Sequence, residues 1–365
     1  MNFADYLTQK LPAVEAEIMR GLPAAPAAPA AATVAPSPAA TSSPAALAST
    51  PSEQTRADLN TYLYQPLAHF SAGGGKRVRP VLCCLGAEAV GGSAKAALPV
   101  ACAIEDFQSA ALIHDDIADK SELRRGEKCL YKTLGTGLAI NVGDSALVNV
   151  VRRVTVADHL SDQLKVRVID ALLAMQEHTL EGQALDLGWA QNERWDVTSE
   201  QYLFMALSKT AYYSAAYPLV LGALIGGADQ KTLDALKDFG LKVGLAFQLQ
   251  DDLLNLVGNA EVQGKDFRSD ITEGKRTLAV VYALEHLGSA EKAELVSILS
   301  AHTSDTLKLQ RAVELMESAN AIKFVRTHAL ALVEEAKHVL ENVILTEDAR
   351  DTLLSMADFF VNRER

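Results

Sequence analysis

The sequence is poor in aromatic residues, in basic charge and in cysteine. Aromatic side chains make up 6% of its 365 residues, and the abundance of Ala and Leu favours helices over sheets. Acidic residues outnumber basic ones by 46 to 34, which gives a formal net charge of −12. This balance argues against a nucleic-acid partner, since domains that bind the phosphate backbone are usually basic. Any anionic ligand must therefore be met by a local group of Lys and Arg.

The four cysteines lack the spacing of a metal site or a redox pair. Cys83 and Cys84 are adjacent within an apolar run, and Cys102 and Cys129 stand apart from them. No CxxC pair is present, and no second set of thiols or histidines completes a zinc pattern. We therefore expect buried, reduced thiols in a cytoplasmic protein.

The sequence also lacks a signal peptide and a convincing membrane span. Its first ten residues have no basic region followed by an apolar core. Residues 211–228 carry no charge and approach the shortest length that crosses a bilayer. They include three tyrosines, Pro218 and three glycines, which would interrupt a lipid-facing surface. We expect a buried core helix of a soluble protein there, and no transmembrane segment.

Three segments differ in composition. Residues 1–20 repeat apolar side chains at three- and four-residue steps, the spacing of an amphipathic helix. Residues 21–52 are almost only Ala, Pro, Ser and Thr, and their prolines exclude a continuous helix, so we interpret them as a low-complexity linker. From residue 53 to residue 365 the pattern is helical almost throughout, without alternating strand patterns or a solenoid repeat. The expected fold class is all-α, with many helices in one domain.

An aspartate cluster, HDDIAD, ends a long apolar helical segment. Asp115 and Asp119 are four residues apart, so they project side by side from one face of the helix. Two neighbouring carboxylates repel each other unless a cation neutralises them, and hard oxygen ligands suit Mg²⁺. His114 precedes these carboxylates, and we interpret it as a packed or orienting residue rather than a metal ligand.

A second cluster, FQLQDDLLN, repeats this arrangement further along the chain. Asp251 and Asn255 share a helix face, and Asp252 lies beside Asp251. One such cluster alone is equally typical of a solvated helix face. Two clusters, each placed directly after an apolar helix, favour metal binding, because a solvated face would not follow so closely on core-like sequence.

Basic residues beside glycine-rich turns are candidates for holding phosphate groups. Glycines 73–75 free the backbone for close approach to an anion, and Lys76, Arg77 and Arg79 follow them. The glycine spacing excludes a Walker A loop. Later in the chain come Arg124, Arg125, Lys209, Lys265 and Lys275. An ordinary surface role stays open for Arg77 and Lys275. Together, the dispersed cations and the two acidic clusters predict a small, highly charged substrate, and a diphosphate bridged by metal ions fits best.

The motifs GGGKRVRP, HDDIAD, RRG, EGQALDL, KT, FQLQDDLLN and GKRT occur in the order typical of one enzyme family. The sequence resembles the trans-isoprenyl diphosphate synthases (polyprenyl synthetases), and geranylgeranyl diphosphate synthases among them, over roughly residues 60–285. The resemblance implies the isoprenoid synthase fold, a helical bundle around a deep central cavity, usually as a homodimer. It also implies a prenyltransferase that condenses isopentenyl diphosphate head-to-tail with an allylic isoprenyl diphosphate.

The same resemblance implies a role for each motif residue. Mg²⁺ would be bound by Asp115, Asp116, Asp119, Asp251 and Asp252. The allylic diphosphate would be contacted by Arg124, Lys209, Gln248 and Lys265. Isopentenyl diphosphate would be contacted by Gly75, Lys76, Arg79, Gln108 and Arg125. Lys275 belongs to the substrate-binding set, Asp186 would assist through water, and Thr210 with Gln248 would stabilise the allylic cation.

Two positions depart from the family pattern. Asn255 stands where the family often has aspartate, and Lys128 stands where it often has proline after RRG. Asparagine is neutral and a weaker metal ligand than aspartate. We therefore expect Asp251 to be the essential carboxylate of the second cluster, and the effect of Asn255 stays open.

The residues before the first aspartates predict the length of the product. Short-chain members of the family tend to carry a bulky aromatic residue four or five positions before Asp115, where this chain has Ala111 and Ala110. The next large residue, Phe107, lies eight positions before Asp115, which is about 12 Å along a helix. We therefore expect a product of C20 or longer, with geranylgeranyl diphosphate as the first choice.

Two other functions stay open at this point. A terpene cyclase shares an aspartate cluster and a helical fold, but it would not need GGGKRVRP, and its second metal motif would differ from FQLQDD. A non-catalytic regulatory subunit of a heteromeric prenyl synthase is supported only by Asn255. The retained Asp115, Asp119, Asp251 and Lys76 oppose that reading.

Overall fold

The computed structural model describes residues 1–26, 51–258 and 267–363. In chain order the helices are α1 (Phe3–Arg20), α2 (Glu53–Leu59), α3 (Gln65–Ala72), α4 (Val78–Ala89), α5 (Ala94–Ala118), α6 (Leu130–Leu134), α7 (Thr136–Thr155), α8 (Asp162–Gln191), α9 (Ser199–Ala206), α10 (Tyr217–Ile225), α11 (Gln230–Val257), α12 (Ser269–Thr272), α13 (Leu278–His286), α14 (Ser289–Ser300), α15 (Thr306–Ser318), α16 (Ala321–Glu341) and α17 (Glu347–Val361). Two π-helical segments are π1 (Asn60–Tyr64) and π2 (Leu207–Ala216).

The all-α fold class is confirmed for the described part of the chain. Its strands there are two short ones, β1 (Leu123–Arg124) and β2 (Glu127–Lys128), which pair as an antiparallel hairpin. Residues 27–50, the greater part of the predicted linker, lie outside the described residues, and so does Lys265.

The chain forms two compact units. The larger unit contains Met1–Pro12, Val78–Ala101 and Asp158–Arg365, and the smaller unit contains Ala13–Arg77 and Cys102–Ala157. Helices α1 and α5 therefore each contribute residues to both units. The second aspartate cluster belongs to the larger unit, and the first cluster belongs to the smaller unit.

Polar side chains fix where the helices of the larger unit begin. Ser161 caps α8, and its hydroxyl accepts a hydrogen bond from the Leu164 amide. Helix α9 begins at a capping box in which Thr198 and Gln201 each accept from the backbone N–H of the other. Asp229 caps α11 in the same way as Ser161 caps α8. Each cap satisfies a backbone donor that the first helical turn leaves unpaired.

Helices α4 and α10 of the larger unit pack at backbone contact. A Cβ atom on Gly222 would lie 1.8 Å from the carbonyl oxygen of Cys83, and one on Gly86 would lie 2.2 Å from that of Leu219. Only glycine permits so close an approach. All four cysteines are buried, and none forms a disulfide. Burial raises the pKa of Cys84 to about 12, so this thiol stays protonated and unreactive.

One helix of the described residues, α5, is long and apolar enough to cross a membrane by length and composition. In the structure 67% of its apolar window is buried inside the protein, which is typical of a core helix. The uncharged stretch 211–228 instead forms part of π2 and all of α10, where Leu219 and Leu221 are fully buried. A cytoplasmic location remains a prediction from the sequence.

The smaller unit is built around α3, α7 and the second half of α5. Its apolar cluster consists of Leu67, Phe70, Ala110, Ile113, Ala139, Val142 and Ala146. Gly143 of α7 lies against the ring of His114, where a Cβ would come within 2.3 Å of Nε2. The His114 ring therefore packs against α7, and its Nε2 lies 3.3 Å from the Ile140 carbonyl oxygen.

A buried ion pair holds the end of α1 within the smaller unit. Asp106 Oδ2 accepts hydrogen bonds from Arg153 Nε at 2.5 Å and from Asn149 Nδ2 at 2.7 Å. Arg153 also donates to the carbonyl oxygens of Glu17 and Ile18, in the last turn of α1. Its guanidinium thus binds carbonyl groups at the C-terminal end of α1, where a cation is favoured.

Candidate functional site

The second aspartate cluster lines a pocket of about 290 Å³ in the larger unit. The pocket brings together six residues predicted from the sequence, namely Lys209, Thr210, Gln248, Asp251, Asp252 and Lys275. Asp186, predicted to act through water, lies there too. Two further charged residues, Asp270 and Arg276, line the pocket without having been predicted, because neither belongs to an aspartate cluster or follows a glycine turn directly.

Helix α11 presents the second cluster to the pocket. Gln248 and Asp252 are one turn apart, and Gln248 Nε2 donates a hydrogen bond to Asp252 Oδ1 at 2.7 Å. Gly244, one turn earlier, lets α11 approach π2, since a Cβ there would lie 2.8 Å from the Cα of Ala211. The glycines of α11 therefore decide how close the cluster comes to π2.

Segment π2 places Lys209 and Thr210 on the pocket wall. A π-helical stretch widens the helical turn and re-aims its side chains, and such stretches are frequent at functional sites. The segment touches α8 at Gly182, where a Cβ would lie 2.2 Å from the Lys209 amide nitrogen. One turn further along α8, Asp186 accepts a hydrogen bond from Lys209 Nζ at 2.5 Å. The motif EGQALDL thus supplies both the close contact and the counter-charge of Lys209.

Four side chains form a continuous hydrogen-bonded relay beside the pocket. Tyr202 Oη donates to Asp252 Oδ2 at 2.5 Å, and Gln248 Nε2 donates to the other oxygen of the same carboxylate. The Thr210 hydroxyl is paired with Gln248 Oε1 at 2.8 Å. Burial and the charge of Asp252 hold the pKa of Tyr202 well above its usual range, so the phenol remains a donor. No sequence motif indicates this role for Tyr202, whose local pattern is that of any core tyrosine.

The first carboxylate of this cluster is paired with the C-terminal segment. Asp251 Oδ1 accepts a hydrogen bond from Arg363 Nη2 at 2.5 Å, and the Arg363 guanidinium lies 3.9 Å from the centre of the Phe247 ring. Gln250 Nε2 donates to the carbonyl oxygen of Arg363 at 3.1 Å. No local sequence pattern indicates this contact, because Arg363 lies 112 residues from its partner. A cation thus binds the carboxylate that we predicted to be the essential metal ligand.

Asn255 anchors the segment that follows α11. Its Oδ1 accepts a hydrogen bond from the Asp270 amide at 3.2 Å, and its Nδ2 donates to Ser269 Oγ at 3.0 Å. An ionised aspartate would accept but could not donate. The Asn255 side chain thus helps to fix α12, which carries Asp270 to the pocket.

Crowded carboxylates dominate the electrostatics of the pocket. Burial, followed by the charges of Asp270 and Asp251, raises the pKa of Asp252 to about 8, and burial raises that of Asp270. Lys275 lies 3.2 Å from Asp270 and 2.7 Å from Glu273. Burial opposes its charge, but the two carboxylates outweigh burial and raise the pKa of Lys275. Further positive charge would therefore be favoured in this pocket.

The donor set of the pocket suits a hard cation. Carboxylate oxygens are the ligands that Mg²⁺ prefers, and Mg²⁺ is often held by one or two of them together with substrate phosphates. Among the described residues, no three His, Cys, Asp or Glu side chains are arranged to hold a metal ion on their own. One or two carboxylates, together with water or phosphate oxygens, would make up such a site.

The first aspartate cluster, in the smaller unit, is held by the β-hairpin. Asp116 is 1% exposed, and its Oδ1 accepts hydrogen bonds from Nε and Nη2 of Arg124 at 2.9 Å and 2.5 Å. Its Oδ2 is buried without a hydrogen-bond partner. Such an oxygen is costly unless a donor or cation reaches it, so the cluster fits a site that is completed by a ligand.

A second pocket, of about 210 Å³, lies in the smaller unit beside the hairpin. It is lined by Arg124, Arg125, Lys128 and His69, among others. Burial, and next the charge of Arg77, lower the pKa of Arg125, as expected for a cation short of counter-charge. Lys128, which replaces the proline common in the family, adds a further cation to this pocket.

The glycine-rich loop is followed by one exposed and one buried cation. Arg77 is 4% exposed, and it donates to Glu105 Oε1 at 2.7 Å and to the Ser71 carbonyl oxygen at 2.6 Å. It is therefore a buried structural residue, not a surface one. Gly75 has φ of +141°, a conformation that other residues rarely adopt, and Lys76 beside it is exposed.

Two predicted contacts of isopentenyl diphosphate each leave a polar atom unsatisfied. In the larger unit, Arg79 donates to Ser214 Oγ at 2.7 Å and stacks over Tyr213, while its Nε is buried without a partner. In the smaller unit, Gln108 Oε1 is also buried without a partner. Both side chains thus keep hydrogen-bonding capacity that the protein does not use.

The three residues predicted to govern chain length lie along α5. Phe107 and Ala110 are buried, and Ala110 belongs to the apolar cluster of the smaller unit. Ala111 is only partly buried. Of the two alanines, Ala111 is therefore the one that keeps accessible surface.

Comparison with known proteins gives a consistent result. The polyprenyl synthetase family model matches residues 60–316. A short chain isoprenyl diphosphate synthase of Methanothermobacter thermautotrophicus is 41% identical over 299 residues, which cover 81% of this chain and 89% of the relative.

Solved structures agree. The geranylgeranyl pyrophosphate synthetase of Pyrococcus horikoshii superimposes with a TM-score of 0.82 at 28% identity, over 99% of this chain and 98% of that one. A geranylgeranyl pyrophosphate synthase of Corynebacterium glutamicum, complexed with isoprenyl diphosphate and magnesium, gives 0.76 at 28% identity, over 84% and 91% of the two chains. The chain belongs to the polyprenyl synthetase family, and it is a polyprenyl diphosphate synthase, an enzyme that transfers prenyl groups.

Proposed function

We propose that this enzyme condenses isopentenyl diphosphate head-to-tail with an allylic diphosphate. The proposal rests on the pocket of the larger unit, in which carboxylates, Lys and Arg side chains and the Thr210–Gln248 pair lie together. The allylic C–O bond breaks and releases diphosphate, the double bond of isopentenyl diphosphate attacks the resulting cation, and transfer of a proton to the released diphosphate gives the elongated all-trans product.

Lysine and arginine side chains are proposed to bind the leaving diphosphate. Lys209 and Lys275 are fixed by carboxylates before a substrate arrives, so little reorganisation is needed when negative charge develops on the diphosphate. Arg124, held against Asp116, and Lys265 complete the proposed set. A cation that is already held in place stabilises the leaving group more than a mobile one, because its conformational entropy has been lost before the reaction begins.

The Thr210–Gln248 pair is proposed to stabilise the allylic cation. The Gln248 amide nitrogen faces Asp252, which leaves its Oε1 for Thr210. The oxygen atoms of both side chains then carry the negative ends of fixed dipoles. Fixed dipoles stabilise a developing charge without rearranging during the reaction.

The oxygen ligands proposed for Mg²⁺ are Asp115, Asp116 and Asp119 in the smaller unit, and Asp251 and Asp252 in the larger unit. Their chemistry suits a hard cation, and the buried Oδ2 of Asp116 has no hydrogen-bond partner within the protein. When bound, Mg²⁺ supplies electrostatic neutralisation of the leaving group. The chain's own carboxylates orient the bound group, and the lysines and arginines hold the diphosphate.

Isopentenyl diphosphate is proposed to be held by the glycine-rich loop and its neighbours: Gly75, Lys76, Arg79, Gln108 and Arg125. The unsatisfied atoms of Arg79 and Gln108 and the lowered pKa of Arg125 support this assignment. Arg77 is not included in this set, because it is buried in an ion pair with Glu105.

The experiment that tests the proposal is product analysis of the purified chain. The protein is incubated with Mg²⁺, labelled isopentenyl diphosphate and C5, C10 or C15 allylic diphosphates in turn, and chain lengths are read after dephosphorylation. We expect elongation that requires both the allylic primer and Mg²⁺. A cyclic hydrocarbon without incorporated label would favour a terpene cyclase. No incorporation by the folded chain alone, but incorporation with a second subunit, would favour a regulatory subunit.

The product is proposed to be C20 or longer, with Phe107 as the floor of the cavity that receives the growing chain. Phe107→Ala is expected to shift the products towards longer chains, because an alanine removes the bulky ring about 12 Å from the first aspartates. The measurement is the chain-length distribution with a C15 primer. The matched control is Phe204→Ala, which removes a ring that is 56% exposed in the larger unit. An unchanged distribution in Phe107→Ala would show that another residue sets the length.

A homodimer is proposed, with α8 at its interface. Val166, Leu173 and Leu180 recur at seven-residue intervals, so they lie on one face of the helix. They are 67%, 52% and 64% exposed. A stripe of exposed large apolar residues on one helix marks an interaction surface, and a second copy of the helix offers the complementary stripe.

The double variant Leu173→Glu/Leu180→Glu is expected to be monomeric, since two charges per chain would be buried at the interface without partners. Light scattering coupled to size-exclusion chromatography measures the mass directly. Leu307→Glu replaces a leucine that is 80% exposed elsewhere, and it should leave the dimer intact. A monomeric wild-type chain would disprove the proposal.

A further inference from the structure

The Tyr202 hydroxyl is buried and donates one hydrogen bond, to Asp252. Tyr202 is 2% exposed, and its Oη lies 2.5 Å from Asp252 Oδ2. Phenylalanine would fill the same space in the core without a hydroxyl. A buried hydroxyl is costly unless it has a hydrogen-bond partner, so the partner of Tyr202 is informative. The partner here is one residue after Asp251.

The relay fixes the orientation of the Gln248 amide. Asp252 accepts hydrogen bonds from Tyr202 through Oδ2 and from Gln248 Nε2 through Oδ1. An amide whose nitrogen is bound to Asp252 must turn its oxygen the other way, and Gln248 Oε1 is indeed paired with Thr210. Four groups are thus locked in one order, with Tyr202 at the end remote from Thr210.

We propose that Tyr202 is a positioning residue for the prenyl-transfer step, acting through Asp252 and Gln248 on Thr210. The inference rests on the proposed function, in which Gln248 and Thr210 face the allylic cation. Tyr202 holds the Asp252 carboxylate in the plane that receives the Gln248 amide. Without the phenol, Asp252 Oδ2 is buried without a donor, the carboxylate can rotate, and the Gln248 amide loses its single orientation.

The kinetic test is Tyr202→Phe, which removes the hydroxyl and keeps the ring. We expect kcat to fall about 10- to 100-fold while KM for the allylic diphosphate changes less than about twofold, because outer groups that orient ligands have effects of this size and the Tyr202 hydroxyl is bonded to Asp252. An unchanged kcat, or a loss confined to KM, would overturn the proposal.

Tyr6→Phe is the matched control. Tyr6 Oη is also paired with a carboxylate, Glu88 Oε2 at 2.6 Å, and Tyr6 is 6% exposed. Both variants remove one buried phenol from a carboxylate, so any general loss of stability appears in both. Thermal unfolding of each variant confirms that the chain is folded. An equal loss of kcat in Tyr6→Phe would assign the effect to stability and overturn the positioning role.

A double-variant cycle separates positioning from independent action. In a Gln248→Ala background, Tyr202→Phe should cost kcat less than about twofold, because the group through which it acts is already gone. A full additional 10-fold loss in that background would mean that Tyr202 acts by another route and would overturn the relay.

An NMR measurement of the Gln248 side-chain amide tests the relay independently of enzyme activity. The side-chain amide signal of Gln248, assigned with Gln248→Glu in glutamine-labelled protein, should be single and protected in wild type. It should be broadened or doubled in Tyr202→Phe and unchanged in Tyr6→Phe. An unchanged signal in Tyr202→Phe overturns the relay. Failure of the wild-type chain to elongate any primer would overturn the proposed function alone, whereas this signal would still decide the relay.

Discussion

Arg153→Leu is expected to lower the free energy of unfolding by about 3–5 kcal/mol, the usual cost of breaking a buried ion pair by removing one partner. The Asp106 carboxylate would stay buried with Asn149 as its remaining donor in the network. The carbonyl oxygens of Glu17 and Ile18 would also lose the guanidinium that caps α1. Urea unfolding followed by helical circular dichroism measures the change.

The adjacent residue provides the control. Arg152 is exposed on the same turn of α7, so Arg152→Leu should change the unfolding free energy by less than about 0.5 kcal/mol. The double variant Asp106→Leu/Arg153→Leu should be less destabilised than the sum of the single variants, because no buried charge is then left alone. Equal effects of Arg152→Leu and Arg153→Leu would contradict the buried-pair explanation.

Gly182→Ala is expected to lower kcat at least about 100-fold, since displacements of about 1 Å in a catalytic constellation have effects of that order. The new Cβ would lie 2.2 Å from the backbone nitrogen of Lys209 and 2.6 Å from its Cα. Backbone atoms cannot rotate away as a side chain can, so π2 must move. Lys209 and Thr210 move with it, and the ammonium loses its alignment with Asp186. Turnover at saturating substrate measures the loss.

Gly188→Ala is the matched control on the same helix. A Cβ at Gly188 meets nothing within 4 Å, and alanine favours helices over glycine by about 1 kcal/mol. This variant should therefore keep full turnover and match or exceed the wild-type stability. If Gly182→Ala retained wild-type kcat, the contact between α8 and π2 would not position Lys209.

Much of the candidate site is readable from short patterns along the chain. The Asp115–Asp119 and Asp251–Asn255 spacings follow from helix geometry alone, which puts residues four apart on one face. The pocket of the larger unit accordingly contains six of the predicted residues. The all-α class follows in the same way, from Ala- and Leu-rich periodicity and from caps such as Thr198 with Gln201.

The site contacts that short patterns did not predict are formed between residues far apart in the chain. Tyr202 and Asp252 are 50 residues apart, and Arg363 and Asp251 are 112 apart. No local spacing distinguishes a tyrosine that packs from a tyrosine that donates to a carboxylate. The sequence likewise does not show that the Asn255 amide nitrogen donates to Ser269 Oγ, 14 residues further along the chain.

The sequence by itself determined the helical class, the family and the chemical character of the site, because each depends on residue type and on spacing within one or two turns. The tertiary structure decided which cations are already paired, as Arg77 is with Glu105, and which polar atoms remain unsatisfied, as in Arg79. It also decided that Gly182 controls the position of Lys209. Burial and close packing depend on what other segments bring to a residue, and a linear pattern does not contain that information.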